Sequence, residues 1–425
     1  MNQPVQHDTA GVVHRVLARG IAAGATDLHF EPTDDGLLVR FRIDGGLVDI
    51  ERLPPTIADN VVSRLKVLAS LLTYRIDIPQ EGSLRWHADP GDQPDHGGTD
   101  NGAVDLRVAT FPTIRGERAV VRVFAAATAL QTVDSLGLST EQVAVLRDAV
   151  DRPAGMIVVT GPAGSGKSTT LYALVRHLRD HHRDRSVITL EDPVEQRIDR
   201  VTQVQINPHG DLTYQRCMRS LLRQDPQVLL VGEVRDGRTA AIAIEAALTG
   251  HLILTTVHSG DPAETVVRFL EMGIPPYQLV SAVTLVCAQR LVRKVCRRCA
   301  ASPHTPAGRR PGAARRCASR EAASEPAPGA DPEPRRGEPS PGPNNGGDAC
   351  DACFGTGYAG RTVIAHIARI DEPMRRLVLA QASAAQIRDA LRAQGPSLYD
   401  RAETLIDDGT TDRHEVARVL GHAPC

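Results

Sequence analysis

Apolar and polar positions follow two different rhythms along this chain. Between residues 24 and 130 they alternate. From Leu37 to Ile43, Val39, Phe41 and Ile43 fall on one face and Arg40 and Arg42 on the other, the period of two expected of a half-buried strand. Ile57, Val61, Val62, Leu65, Leu68 and Leu72 then recur at helical spacing, and Val104–Ala109 and Ala119–Phe124 read as further strands. Asp89–Asn101, rich in Gly, Asp and Pro, reads as a loop. The pattern predicts a small α/β domain. From Gly155 the rhythm changes to short, nearly continuous apolar runs, Met156–Thr160, Val187–Leu190, Val228–Val231 and Leu252–Val257, separated by helical stretches. That alternation predicts a mostly parallel sheet covered on both faces. Residues 301–348 are dense in Pro, Ala, Gly, Arg and Glu and poor in large apolar side chains, a composition that predicts disorder. Helical periodicity returns from about Asp371.

Composition narrows the classes. With 425 residues, 41% of them apolar, the chain has room for about three domains and enough apolar material to pack them. A formal net charge of −2 gives no electrostatic reason to expect nucleic acid as a partner. The N-terminus shows no basic stretch followed by an apolar one, so no secretory signal is read there. The longest apolar candidate, around Val280–Ala288, is far below the roughly 18 residues a membrane span needs. These features predict a cytoplasmic protein.

The chemistry begins at Gly161-Pro162-Ala163-Gly164-Ser165-Gly166-Lys167-Ser168, which matches the phosphate-binding loop G-x-x-x-x-G-K-[ST] and runs on through Thr169. It follows an apolar strand and precedes the helical stretch Thr169–Arg179, the context that makes the motif meaningful. Lys167 is expected to reach the β- and γ-phosphates of ATP, and Ser168 to ligate Mg²⁺. Val228–Val231 ends in Gly232-Glu233, so Glu233 is the expected catalytic carboxylate, at the end of a strand neighbouring the loop strand. Gly232 occupies the place of the usual magnesium-holding aspartate.

The segments around these motifs resemble one family. Ile188-Thr-Leu-Glu191-Asp192-Pro193-Val194-Glu195, Leu222-Arg223-Gln224-Asp225-Pro226 running on to Gly232-Glu233-Val234-Arg235-Asp236, and Thr249–His258 are similar to the acidic box, Walker B region and histidine box of type II secretion and type IV pilus assembly ATPases. The resemblance extends upstream through Thr26–Pro32 and Arg40–Gly45, and covers nearly the whole chain apart from the low-complexity segment. It implies a RecA-like P-loop ATPase core at 131–295, a PAS-like N-terminal α/β domain at 1–130, a zinc-knuckle subdomain at 296–370 and a helical C-terminal region at 371–425. It further implies roles for Glu191 and Glu195 in placing water or magnesium, on a strand beside the loop strand. His258 would sense the γ-phosphate, and His251 reads as structural. Arg107 and Arg122 match N-terminal-domain arginines aimed at nucleotide, and Arg219 and Arg223 match a second arginine pair.

Cys296-Arg-Arg-Cys299 and Cys350-Asp-Ala-Cys353 are two Cys-x-x-Cys knuckles that can close a tetrahedral structural zinc site, with free thiols or a redox pair as the alternatives. Cys217, Cys287, Cys317 and Cys425 lack such spacing. Gln227 and His366 depart from the family's usual Asp and Glu, and only about two dozen residues precede Gly24, where many members carry a further N-terminal domain. By the resemblance, the expected protein is a homohexameric ATPase that docks on an inner-membrane platform protein and drives assembly of a pilus or pseudopilus. A pilus retraction motor, a DNA-translocating RecA-like ATPase and a non-hydrolysing regulatory subunit are the alternatives.

Overall fold

A computed structural model describes residues 8–87, 104–124, 132–207, 210, 212–300 and 350–421. The loop expected at Asp89–Asn101, the segment 301–348, Cys317 and Cys425 lie outside the described residues. The chain divides into two compact units, one of residues up to 294 together with 360 onward, and one of Val295–Ala359.

The first unit opens with α1 (Thr9–Ala22), β1 (Asp27–Thr33), β2 (Gly36–Ile43), β3 (Gly46–Leu53), α2 (Pro55–Leu68), β4 (Gln80–Trp86), β5 (Val104–Thr113) and β6 (Gly116–Phe124). The strands form one sheet in the order β3-β2-β1-β6-β5-β4, and all five pairings are antiparallel. Alternation decides which side packs. Phe30, Val39, Phe41, Val108 and Val121 are buried with Val13, Leu17, Val61 and Leu65 of the two helices, and the other face keeps the arginines. Asp44 and Gly45, both at positive φ (50° and 82°), form the two-residue turn between β2 and β3, which needs that backbone at both positions. Asp44 also accepts the Gly360 N–H at 2.7 Å and pairs with Arg361 at 3.3 Å.

The second sheet is built from α3 (Thr140–Asp151), β7 (Gly155–Thr160), α4 (Lys167–His181), β8 (Val187–Glu191), β9 (Thr202–Gln205), α5 (Tyr214–Leu221), β10 (Val228–Val231), α6 (Gly237–Leu248), β11 (Leu252–Val257), α7 (Pro262–Glu271), α8 (Pro276–Ala282), β12 (Val283–Val295) and β13 (Tyr358–Arg369), with the short helix α9 (Arg297–Ala300) falling between the last two strands in the chain. Its order is β13-β12-β7-β11-β10-β8-β9, and from β12 to β9 every pairing is parallel. All residues of β7, β8, β10 and β11 are buried. Met156 and Val158 join one core with α6 and α7, while Ile157 and Val159 join another with α3 and α4. The tail forms α10 (Glu372–Leu379), α11 (Ala384–Arg392), α12 (Leu398–Asp407) and α13 (Arg413–Leu420). Leu398, Ala402 and Val416 pack on Val292 and Ile364 of β12 and β13.

Two expectations are corrected here. The neighbours of β7 are β11 and β12. The Glu233 strand, β10, is therefore one strand further out, and the Glu191 strand, β8, two further out rather than beside the loop strand. The reason is that sequence adjacency does not dictate lateral order in a parallel sheet whose strands are joined by crossovers. The strand Tyr358–Arg369, placed by the boundary at 370 with the cysteine knuckles, is an edge strand of this sheet.

Candidate active site and cysteine site

The loop after β7 turns through Gly164 and Gly166, both at positive φ (73° and 89°), and Gly166 caps α4 in that left-handed conformation. The turn brings the loop's backbone to the start of a 15-residue helix, where N–H groups and helix dipole favour an anion. Gln289 of β12 holds the loop from beneath. Its amide donates to the Ser165 carbonyl at 2.8 Å and accepts from the Thr170 hydroxyl at 2.9 Å. The Lys167 ammonium lies 2.9 Å from each of the Gly161 and Pro162 carbonyls. Burial pulls its pKa below the usual lysine range, partly offset by the nearby Glu233.

The cleft beside the loop has a volume of about 250 Å³. It collects Lys167, Ser168, Glu191, Glu195, Glu233 and His258. Glu233 follows β10 and is held from two sides. Arg235 donates to its Oε2 at 2.6 Å, and His258 Nε2 lies 3.0 Å from its Oε1. His258 Nδ1 is 3.2 Å from the Gly161 carbonyl, so the imidazole bridges the carboxylate to the phosphate loop. A Cβ added at Gly232 would come 3.1 Å from the Leu190 carbonyl oxygen and 3.2 Å from the Tyr214 hydroxyl, so a larger residue there requires those neighbours to shift by a few tenths of an ångström. Glu195 accepts the Ser168 hydroxyl at 3.3 Å. Burial pushes its carboxyl up, against the pull of that hydroxyl.

Glu191 lines the cleft but is already engaged. It accepts from the Tyr172 hydroxyl, from Thr189 at 2.5 Å and from Gln203 at 3.2 Å. Tyr172 in turn accepts the Glu195 and Gln196 N–H groups at 3.0 and 3.3 Å. Burial, then the bond to Glu191, raises the Tyr172 pKa far enough to keep the phenol protonated, and burial lifts that of Tyr214 to about 12. His251 sits at the opposite end of β11, its Nδ1 3.0 Å from the Ala246 carbonyl, which is a structural placement.

The structure does not bring the arginines into the cleft. Arg107 and Arg122 are cross-strand neighbours on β5 and β6. They pair with Glu81 at 2.5 Å and Asp27 at 2.9 Å respectively. Arg219 and Arg223 are exposed at the end of α5 and just beyond it. Gln227, whose side chain accepts the Ser186 N–H at 2.6 Å, and the buried His366 of β13 lie off the cleft as well. Tyr172, Tyr214, Arg235 and Gln289 were missed as site residues. Arg235 was legible as a charge two residues from Glu233, and Gln289 as a lone amide in an apolar strand; the tyrosines left no local signal.

In the second unit the four knuckle thiols converge. Sγ of Cys296 and Cys350 are 3.9 Å apart, those of Cys299 and Cys353 3.4 Å, and all four lie within 4.8 Å of one another without a disulfide. The Cys353 and Phe354 N–H groups return to the Cys350 carbonyl, and Cys296 N–H donates to Gly357. Hydrogen bonds from the Ala352 backbone and then Cys299 draw the Cys350 thiol down to about 7, which favours a thiolate. Four sulfurs in this arrangement fit a tetrahedral zinc ion.

A family model described as "Type II/IV secretion system protein" matches residues 5–418. The chain is 36% identical over 417 residues to type II secretion system protein E of Pseudomonas aeruginosa, covering 97% of this chain and 76% of that one. It is 35% identical over 412 residues to the type II secretion system ATPase E of Vibrio cholerae, covering 96% and 74%. Against the type IV pilus assembly ATPase PilB of Thermus thermophilus the identity is 35% over 397 residues, spanning 93% of this chain but 40% of that longer protein. Among solved structures, the Yersinia pseudotuberculosis ATPase DotB superposes with a TM-score of 0.68 at 20% identity, over 99% of this chain and 95% of that one. Likeness at that identity shows a shared fold.

Proposed function

Since the chain belongs to the type II/IV secretion system protein family, we propose that it is an ATPase whose hydrolysis of ATP drives assembly of a type IV pilus or a type II secretion pseudopilus at the inner membrane. The observation that carries this reading is the Glu233 carboxylate, clamped between Arg235 and His258 at the mouth of a phosphate-loop cleft. Relatives named as a secretion ATPase and a pilus assembly ATPase support it.

The loop's N–H groups and the start of α4 bind the phosphates, and Lys167 adds its charge. Among the described residues that ammonium is hydrogen-bonded only to neutral carbonyls, so its charge is available to an anion. Ser168, with Glu195 beside it, would hold Mg²⁺, which supplies neutralisation of phosphate charge when bound; a carboxylate next to a hydroxyl fits such a cation. Glu233 orients the attacking water and takes its proton. His258, joining Glu233 to the loop, gives β11 a mechanical link to the phosphate end. Glu191 acts as a positioning residue, with Tyr172 tying it to the backbone of Glu195.

Arg107 and Arg122 are engaged on the antiparallel sheet, outside the cleft. We assign a homohexameric ring in which Arg107 and Arg122, and the pair Arg219 and Arg223, complete the site on closure or in trans. The ring would act on the cytoplasmic side of the inner membrane through a platform protein, with nucleic acid not required. No helix among the described residues is long and apolar enough to cross a membrane. The four knuckle cysteines hold a structural zinc in this reading. The test is ATP binding and turnover by the purified full chain. Lys167→Ala is expected to abolish tight binding and turnover together; undiminished binding in that variant would overturn the site.

A further inference from the structure

Away from the nucleotide cleft and the cysteine knuckles, one cluster brings three metal-type donors together. Asp151 ends α3, His177 lies in the last turns of α4, and His182 follows that helix directly. One carboxylate oxygen and two ring nitrogens from these residues lie within 4.8 Å of one another. The Nε2 atoms of His177 and His182 are 2.9 and 2.8 Å from the same oxygen, Asp151 Oδ1.

The surroundings fix the donors before any ion arrives. His177 has a side chain only 9% exposed, and its ring stacks on His181 with centroids 4.3 Å apart. Arg185 donates to the carbonyls of Val150, Asp151 and Arg152, pinning the end of α3 from which Asp151 projects. Asp151 Oδ2 takes no hydrogen bond from any described residue. The Asp151 and His182 side chains are 42% and 26% exposed, which leaves an entry path and open coordination positions facing water. The cluster also sits at the carbonyl end of α4, where the helix dipole favours a cation.

Two imidazoles and one carboxylate are borderline donors suited to zinc, cobalt or nickel. Magnesium and calcium prefer all-oxygen shells. We propose that Asp151, His177 and His182 form a binding site for a borderline divalent ion, zinc being its redox-inert candidate, that clamps the far end of the phosphate-loop helix to the end of α3. With 15 residues in α4 and a rise of about 1.5 Å per residue, the ion would lie roughly 20 Å from the phosphates. It therefore anchors the helix rather than touching nucleotide, and its test does not depend on ATP turnover.

The competing reading is a plain hydrogen-bonded triad, and metal counting separates the two. Full-length chain is stripped with a chelator, equilibrated with excess Zn²⁺ or Co²⁺ in the presence of Mg²⁺, and freed of unbound ion. Three chains are compared: wild type, Cys296→Ser/Cys350→Ser, and His177→Gln/His182→Gln. The expected result is that the histidine variant holds one equivalent fewer than wild type while keeping the strong cobalt–thiolate absorption of the knuckles. The cysteine variant loses that absorption and keeps the weaker nitrogen–oxygen cobalt bands. Circular dichroism confirms that each chain is folded; for a variant that is not, the wild-type cobalt spectrum decides, by showing both kinds of band or the thiolate kind alone. Equal metal content in wild type and histidine variant, or a wild-type spectrum with thiolate bands alone, overturns the proposal.

Discussion

Two lysines on helices packed by the two sheets, Lys66 of α2 and Lys167 of α4, differ in a way that separates structure from chemistry. Lys66, under the antiparallel sheet, is fully buried, and its ammonium meets both Glu117 oxygens at 2.9 and 2.8 Å and the Arg75 carbonyl at 2.9 Å. Every donor has a partner, and the charge is cancelled where it stands. Lys167, at the start of α4 just after the phosphate loop, meets two neutral carbonyls and shares a cleft with Glu195 and Glu233. Among the described residues it makes no ion pair within hydrogen-bond distance, and only the nearby Glu233 and Glu195 attract its charge. The same difference runs through both regions. On the antiparallel sheet, Arg40, Arg107, Arg118 and Arg122 are each matched with a carboxylate. At the parallel sheet, Tyr172, Thr189 and Gln203 saturate Glu191, whereas Glu233, held by Arg235 and His258, lines a cleft that stays open. A charge satisfied by its own fold stabilises; a charge held in place but left with capacity is equipped to act on something else.

The largest effect should come from breaking the satisfied pair. Lys66→Met leaves Glu117 buried without its cation, and removing one partner of a buried pair costs about 3–5 kcal/mol. Denaturant melts should show a loss of that size with the m-value unchanged. A loss under about 1 kcal/mol would mean that the pair is better solvated than its geometry indicates.

Next in size is the test of whether the antiparallel sheet takes part in chemistry at all. Arg122→Ala should lower ATP turnover at least about tenfold without dissolving the oligomer, because an arginine delivered to a departing phosphoryl group contributes heavily to the rate. Specific activity should also climb with protein concentration as rings form. Turnover unchanged in the variant, measured beside light scattering, would return Arg122 to its partner Asp27 and a purely structural role.

The smallest effect concerns acid stability. Burial pushes the Glu415 carboxyl up, but hydrogen bonds from Arg418 and Arg293 outweigh it and hold the pKa at about 2, below the 4.5 of a free glutamate. A depressed carboxyl contributes stability that is fully present above its unfolded pKa and is lost as pH falls through the folded one. Melting temperature should therefore decline between about pH 4.5 and pH 2. Glu415→Gln should flatten that part of the curve, and an equally steep decline in the variant would assign it to other carboxylates.

Much of the fold was legible because burial leaves a period. Val39 and Phe41 alternating with Arg40 and Arg42 marked β2, and the uninterrupted apolar runs marked β7, β8, β10 and β11. The phosphate loop and the cysteine spacing were readable since each is local in the chain. Lateral strand order was not, because nothing in Val187–Leu190 says that two strands separate it from β7. α1 went unmarked although Val13, Val16, Leu17 and Gly20 fall at helical spacing. β13 was hidden for another reason: its partner strand ends more than 60 residues before it begins. Tyr172 illustrates the limit for the site. It meets Glu191 across 19 positions, and only the packing of α4 on the sheet brings them together.

In the proposed function Glu233 acts on water rather than on nucleotide binding, and a glutamine at that position separates the two. ATP affinity and single-turnover hydrolysis are determined for Glu233→Gln beside wild type. The glutamine keeps the size and the oxygen that Arg235 grips but cannot take a proton. ATP binding should stay within about threefold of wild type while hydrolysis falls by roughly 10²–10⁴-fold, the range that general base catalysis supplies. Hydrolysis at the wild-type rate in that variant would contradict the account.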